Sequence, residues 1–134
     1  MTAKEYQLKY GKQAKRKRQK IEELLQIRCI SWFRSEYPQY AMNYFAVGNG
    51  GSRNAIEGAN LKRAGVLAGV SDTILLVPNP YYHGLCIEFK KDYKSKQTDN
   101  QIAFQEAVDK RNYGYSVIHD FEDFKKLIKS YILI

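Results

Sequence analysis

The apolar positions of the chain fall into two periods, one of strands and one of helices. Gly69 to Lys91 reads as a hairpin, with apolar runs Thr73 to Val77 and Leu85 to Lys90 and with Pro78-Asn79-Pro80 and Gly84 as turn material between them. Strand side chains alternate faces, so Leu85, Ile87 and Phe89 are expected on one side and Cys86, Glu88 and Lys90 on the other. A turn centred near Pro80 to Tyr82 sets Asp72 beside Glu88 or Lys90. Two carboxylates and an ammonium then converge at one end of an apolar hairpin.

Around the hairpin the period becomes helical. Ile21, Leu24, Leu25, Ile27 or Arg28, and Trp32 recur as in a first long helix over Ile21–Phe33 that stops before Pro38. Glu22 and Gln26, four apart, share one of its flanks. Tyr40 to Val47 reads as a strand ended by the turn Gly48 to Ser52, and a short helix near Ala59 to Ala64 stops at Gly65. Thr98 opens a helix to about Arg111 with Ile102, Phe104, Ala107 and Val108 inward. Gly114 closes it, Tyr115 to His119 is a last strand, and Phe121 to Tyr131 is a final helix burying Phe121, Phe124, Leu127, Ile128 and Tyr131. The order α-β-α-β-β-α-β-α describes one α/β domain over residues 21–134.

Residues 1–20 form a basic N-terminal arm or the first turns of a helix. Seven positions from Lys9 to Lys20 are Lys or Arg and none is acidic, so the segment is either a solvated end or a phosphate-binding tail. The whole chain of 134 residues carries a formal net charge of +8, which points to a polyanionic partner, nucleic acid first. Cys29 and Cys86 sit in apolar patterns without metal-ligand spacing and read as reduced core residues. No apolar run approaches the roughly 20 residues of a bilayer span, and no phosphate-loop or dinucleotide fingerprint supports a small-ligand protein. A cytoplasmic or nucleoid-associated protein of a bacterial or phage-infected cell is expected. His83 and His119 are isolated and carry no assigned role.

An aspartate at a strand start followed by Glu-x-Lys on the next strand can serve metal-dependent phosphodiester cleavage, because paired carboxylates hold hard divalent cations through oxygen. Charged residues on the wet face of an edge strand produce the same string, and only its context separates the two readings. That context is specific. Gly58-Ala59-Asn60-Leu61-Lys62-Arg63-Ala64-Gly65-Val66, then Gly69-Val70-Ser71-Asp72, then Ile87-Glu88-Phe89-Lys90, then Gln101-x-x-Phe104 and Gly114-Tyr115 occur in order. Over about Ile21 to His119 this set resembles the VRR-NUC (virus-type replication-repair nuclease) family of the PD-(D/E)xK nuclease superfamily.

The resemblance implies a restriction-endonuclease-like fold, a mixed β-sheet of about four strands flanked by helices. It also implies Mg²⁺- or Mn²⁺-dependent cleavage of DNA, and stand-alone members resemble homodimers acting on branched DNA such as four-way (Holliday) junctions. Carried over, Asp72 and Glu88 are the metal ligands with the Phe89 backbone carbonyl, and Lys90 positions the water. Gln101 joins the site, although Thr98-x-x-Gln101 is equally a capping box. Glu22 is the first-helix acid, with Glu23 its rival. Lys62 is the family's basic position, and Arg53, Arg63, Lys91, Lys94, Lys15, Arg16, Lys17 and Arg18 are further DNA contacts. The family usually has proline before the aspartate, and here stands Ser71. The dimer surface is left between the Tyr81-Tyr82 turn and the apolar end Tyr131 to Ile134. Rival functions are a flap or end-processing nuclease and a non-catalytic DNA-binding module with a structural carboxylate cluster.

Overall fold

The computed structural model describes residues 1–48 and 55–133. Helix α1 (Ala3–Glu36) is followed by a 3₁₀ turn at Pro38–Tyr40, strand β1 (Tyr44–Ala46), helix α2 (Ala55–Arg63) and strands β2 (Thr73–Leu75) and β3 (Leu85–Phe89). Helix α3 (Asp99–Asp109), strand β4 (Gly114–Ile118) and helix α4 (Phe121–Leu133) complete the chain. The strands form one mixed sheet in the order β1-β2-β3-β4, antiparallel except for the parallel β3–β4 pair. The parallel pair follows from the α3 crossover, which returns the chain to the sheet in the same direction.

The hairpin register is Thr73↔Ile87 and Leu75↔Leu85, so one step further along Asp72 lies opposite Glu88. One sheet face packs on α1 and α4: Phe33, Tyr44, Leu75, Ile87, Phe89, Phe124 and Ile128 are fully buried there. Their rings interlock, with Phe33 and Tyr44 centroids 4.6 Å apart and Phe89 and Phe124 6.0 Å apart. The other face is covered by α3, whose Phe104 meets Tyr115. Every residue of β3 is consequently buried, Cys86 and Glu88 included.

Four sequence expectations are corrected. The first helix does not begin near Ile21: it starts at Ala3, where Thr2 accepts from the Glu5 amide and the Glu5 carboxylate accepts from the Thr2 amide. The basic segment from Ala3 to Lys20 is therefore helical and part of α1. Its inward face is Leu25, Cys29 and Phe33, while Ile21, Leu24 and Ile27 are exposed. The strand expected over Tyr40–Val47 is only Tyr44–Ala46, because Pro38 starts a 3₁₀ turn that consumes Tyr40. On α3 the inward face is Gln101, Phe104, Gln105 and Val108, with Ile102 and Ala107 exposed. Asn112, at φ 64°, makes the left-handed turn expected of Gly114, which instead begins β4. Arg53, most of the turn Gly48 to Ser52, and Ile134 lie outside the described residues.

Candidate active site

The β2–β3 ladder ends at Thr73, and beyond it side chains replace the main-chain pairing toward β3, while on the other edge the Val47 amide still donates to the Asp72 carbonyl at 2.9 Å. The Phe89 amide donates to Asp72 Oδ2 at 2.7 Å, and the Asp72 amide donates to Glu88 Oε2 at 3.2 Å. Ser71, fully buried, donates from Oγ to the Thr73 carbonyl at 3.1 Å. That bond holds the segment before Asp72 where the family's proline would stiffen it.

Two carboxyls this close and this dry disfavour full ionisation. Burial, and then the Asp72 charge, push Glu88 up to about 8. Burial also raises Asp72, against the lowering effect of the Phe89 amide and the Lys90 ammonium. Oxygen donors with this excess of negative charge suit a hard divalent cation. Among the described residues no group of three or more His, Cys, Asp or Glu side chains could hold a metal ion, so Asp72 and Glu88 meet as a pair with no third such ligand at the same point.

Lys90, 8% exposed, points at the same place from the end of β3 and is held by α3. Its Nζ donates to Gln101 Oε1 at 2.9 Å, and Gln101 Nε2 donates to Glu88 Oε1 at 2.8 Å. The same Gln101 Oε1 accepts from the Thr98 amide at 2.9 Å, while the Gln101 amide donates to Thr98 Oγ1. The capping box and the site contact are thus both made by one side chain. Glu22 approaches from α1, half-buried, accepting weakly from the Lys91 amide at 3.4 Å. Burial raises its pKa, and the Lys90 charge lowers it. Glu23 is exposed.

The structure brings Asp72, Glu88, Phe89, Lys90, Gln101 and Glu22 together. Lys15, Arg18, Lys91 and Lys94 line a groove that opens onto Lys90 and Gln101. Lys62 and Arg63 are exposed on α2, where Arg63 donates to Asn60, and Arg16 and Lys17 are exposed on α1 outside the groove lining. Two groups near the site, Lys96 of the basic stretch before Thr98 and Tyr93, were given no site role from the sequence. Lys96 lines the same groove, and Tyr93 anchors its loop by donating to Asp120 Oδ2 at 3.0 Å and by a short contact with Asp123. The legible signal for Tyr93 was Asp120-x-x-Asp123 before an apolar run, an N-cap spacing whose carboxylates needed a partner.

A half-buried aspartate and a buried glutamate meet at the end of a hairpin, bridged by a helix-borne glutamine to a buried lysine, within an α/β domain. No family model and no curated protein matches the chain. A solved structure described as a VRR_NUC domain protein superposes on it with a TM-score of 0.73 and 28% identity, over 84% of this chain and 88% of that one. The ordered motifs and the fold agree in likening the chain to the VRR-NUC family. Among the described residues no helix is long and apolar enough to cross a membrane.

Proposed function

We propose that the chain is a divalent-metal-dependent endodeoxyribonuclease that cuts phosphodiester bonds in structured DNA, four-way junctions foremost, and that it acts as a homodimer. The observation that supports this most is the path Asp72–Glu88–Gln101–Lys90, in which two acids and one cation converge at one strand end. Asp72 and Glu88, with the Phe89 carbonyl, would hold Mg²⁺ or Mn²⁺, which supplies when bound a water of lowered pKa and positive charge for the scissile phosphate. Lys90 orients the attacking water and offsets charge that develops on the phosphate. Gln101 fixes the Lys90 ammonium beside Glu88, so that the lysine does not swing out into the groove. Glu22 lies where it can accept a proton or hold a second water. Two-fold symmetric assembly would place two such sites on the two strands of a symmetric junction.

A second reading has one observation in its favour. Two clustered acids, rather than three, are also what a binding module with a structural carboxylate pair would carry. Wild type and the Glu88→Ala and Lys90→Ala variants, incubated with labelled junction, flap and linear duplex in Mg²⁺, Mn²⁺ or chelator, separate the two. The nuclease reading expects metal-dependent nicks in wild type, lost by about 100-fold or more in both variants while binding persists. Wild type that binds all three DNAs and cuts none is a binding module.

A further inference from the structure

Between the N-terminal half of α1 and the loop from Lys91 to Thr98 runs a groove of about 780 Å³. One wall is α1 from Gly11 to Glu22, the other is the loop, and the groove ends against Lys90 and Gln101. Lys15 and Arg18 face it from the helix, and Lys91, Lys94 and Lys96 from the loop. Against them stand only Glu22 at the site end and Asp92, which is already engaged with Lys91 at 3.8 Å and with the Lys94 and Ser95 amides.

We infer that this groove seats one unpaired strand by its phosphates and leads it to the scissile position, so that the substrate is DNA with a splayed or single-stranded segment beside the cut. The inference rests on the nuclease reading for its direction, and on the groove itself for its ligand. Its volume lies in the range of about 300–1,000 Å³ of clefts that take small ligands. A cleft of about 780 Å³ has room for a few nucleotides of one strand and cannot enclose both strands of a duplex. The α1 wall from Gly11 to Glu22 is about 16 Å long at 1.5 Å per residue. At about 3.4 Å or more per phosphate it meets no more than about five phosphates of one strand. Five cations besides Lys90 line it.

The lining contains no aromatic ring, so bases find no stacking platform and recognition falls on the backbone without regard to sequence. Two further features fit a built channel. Gly11 stands mid-helix where an added Cβ would come no nearer than 3.6 Å to Gln7, so packing does not require glycine, yet its bareness widens the groove. The loop wall is anchored by Tyr93, whose hydroxyl lies between the two carboxylates at the start of α4 and whose ring stacks 4.2 Å from that of His119.

The test is fluorescence anisotropy in chelator, where nothing is cut, with a 12-nucleotide oligo-dT and a blunt 12-base-pair duplex over a salt series. Wild type is compared with a Lys15→Ala/Lys94→Ala/Lys96→Ala variant, all three exposed positions outside the catalytic set, with circular dichroism as the folding control. The expected result is a single-strand affinity at least about 10-fold weaker, a log–log salt slope smaller by about 2, and a duplex affinity within about 3-fold. Unchanged single-strand binding and slope, or equal losses on both DNAs, would overturn the groove. Cleavage of junctions by wild type with Mg²⁺ or Mn²⁺, and its loss in Lys90→Ala, reads the nuclease activity separately. Either inference can then fail while the other stands.

Discussion

Gln101 Nε2 donates to Glu88 Oε1 at 2.8 Å, while the Oε1 of the same amide receives both the Lys90 ammonium and the Thr98 main-chain amide. One side chain therefore closes the start of α3 and sets the distance between the buried acid and the buried base. Gln101→Ala removes both functions: thermal or urea unfolding should show a loss of about 1 kcal/mol from the broken capping box. Single-turnover cleavage should fall by about 10- to 100-fold. Gln101→Glu preserves the cap acceptor but loses the donor to Glu88 and adds a third carboxylate, so stability near neutral pH should be kept better than activity.

Stability should depend on pH through Glu88. Its folded-state pKa is raised from 4.5 to about 8, so between these values the folded chain binds more protons than the unfolded chain. This contribution is fully present below 4.5 and is lost as pH rises through about 8; Asp72, also raised, has the same sign. In chelator, urea midpoints should fall from pH 5.5 to pH 8.5, and Glu88→Gln should flatten that slope. Divalent cation should bind with release of protons and more tightly as pH rises, which titration calorimetry in buffers of different ionisation heat would register.

Gly69 adopts φ +90°, and a Cβ there would lie 2.5 Å from the Asn100 carbonyl carbon and oxygen. The segment carrying Asp72 thus touches the first turn of α3 backbone to backbone. Gly69→Ala should destabilise by about 2 kcal/mol or more, from the left-handed conformation and the overlap together. By moving α3 it should also part Gln101 from Glu88 and lower cleavage in the protein that still folds.

Tyr93 is 68% exposed yet holds the lysine loop to α4. Tyr93→Phe keeps the ring against His119 and removes only the hydroxyl bonds. It should leave the unfolding free energy within about 1 kcal/mol, as for one exposed hydrogen bond. Oligo-dT affinity should weaken about 2- to 5-fold as the loop cations lose their fixed positions. Anisotropy in chelator checks both the size and the absence of an effect on blunt duplex.

The hairpin was legible because its alternation and turn residues agree, and its register put Asp72 opposite Glu88 as one of two expected arrangements. Glu22 rather than Glu23 reaches the site for a reason the pattern of Ile21, Leu24 and Ile27 concealed. The buried stripe is Leu25, Cys29 and Phe33, and Glu22 continues it toward the strands. The α1 start was legible in Thr2-x-x-Glu5, the same spacing as Thr98-x-x-Gln101, but seven cations without an acid mask a helix that burial cannot signal. Groove and loop anchor were not legible, since Lys96 and Tyr93 owe their positions to contacts between segments far apart in sequence.

Every residue of α1 from Ala3 to Ile21 is solvent-exposed, so this half of a 34-residue helix gains nothing from packing. Like charges three or four apart, Lys12 with Lys15 and Arg16 or Lys17 with Lys20, strain it further. It is held by continuity with the docked half and by the Thr2 cap, so it should fray before the docked half does. Warming should erode far-ultraviolet ellipticity gradually, well below the cooperative transition of the core. A polyanion that neutralises the cations should reverse that erosion, so its binding heat would include the enthalpy of completing the helix.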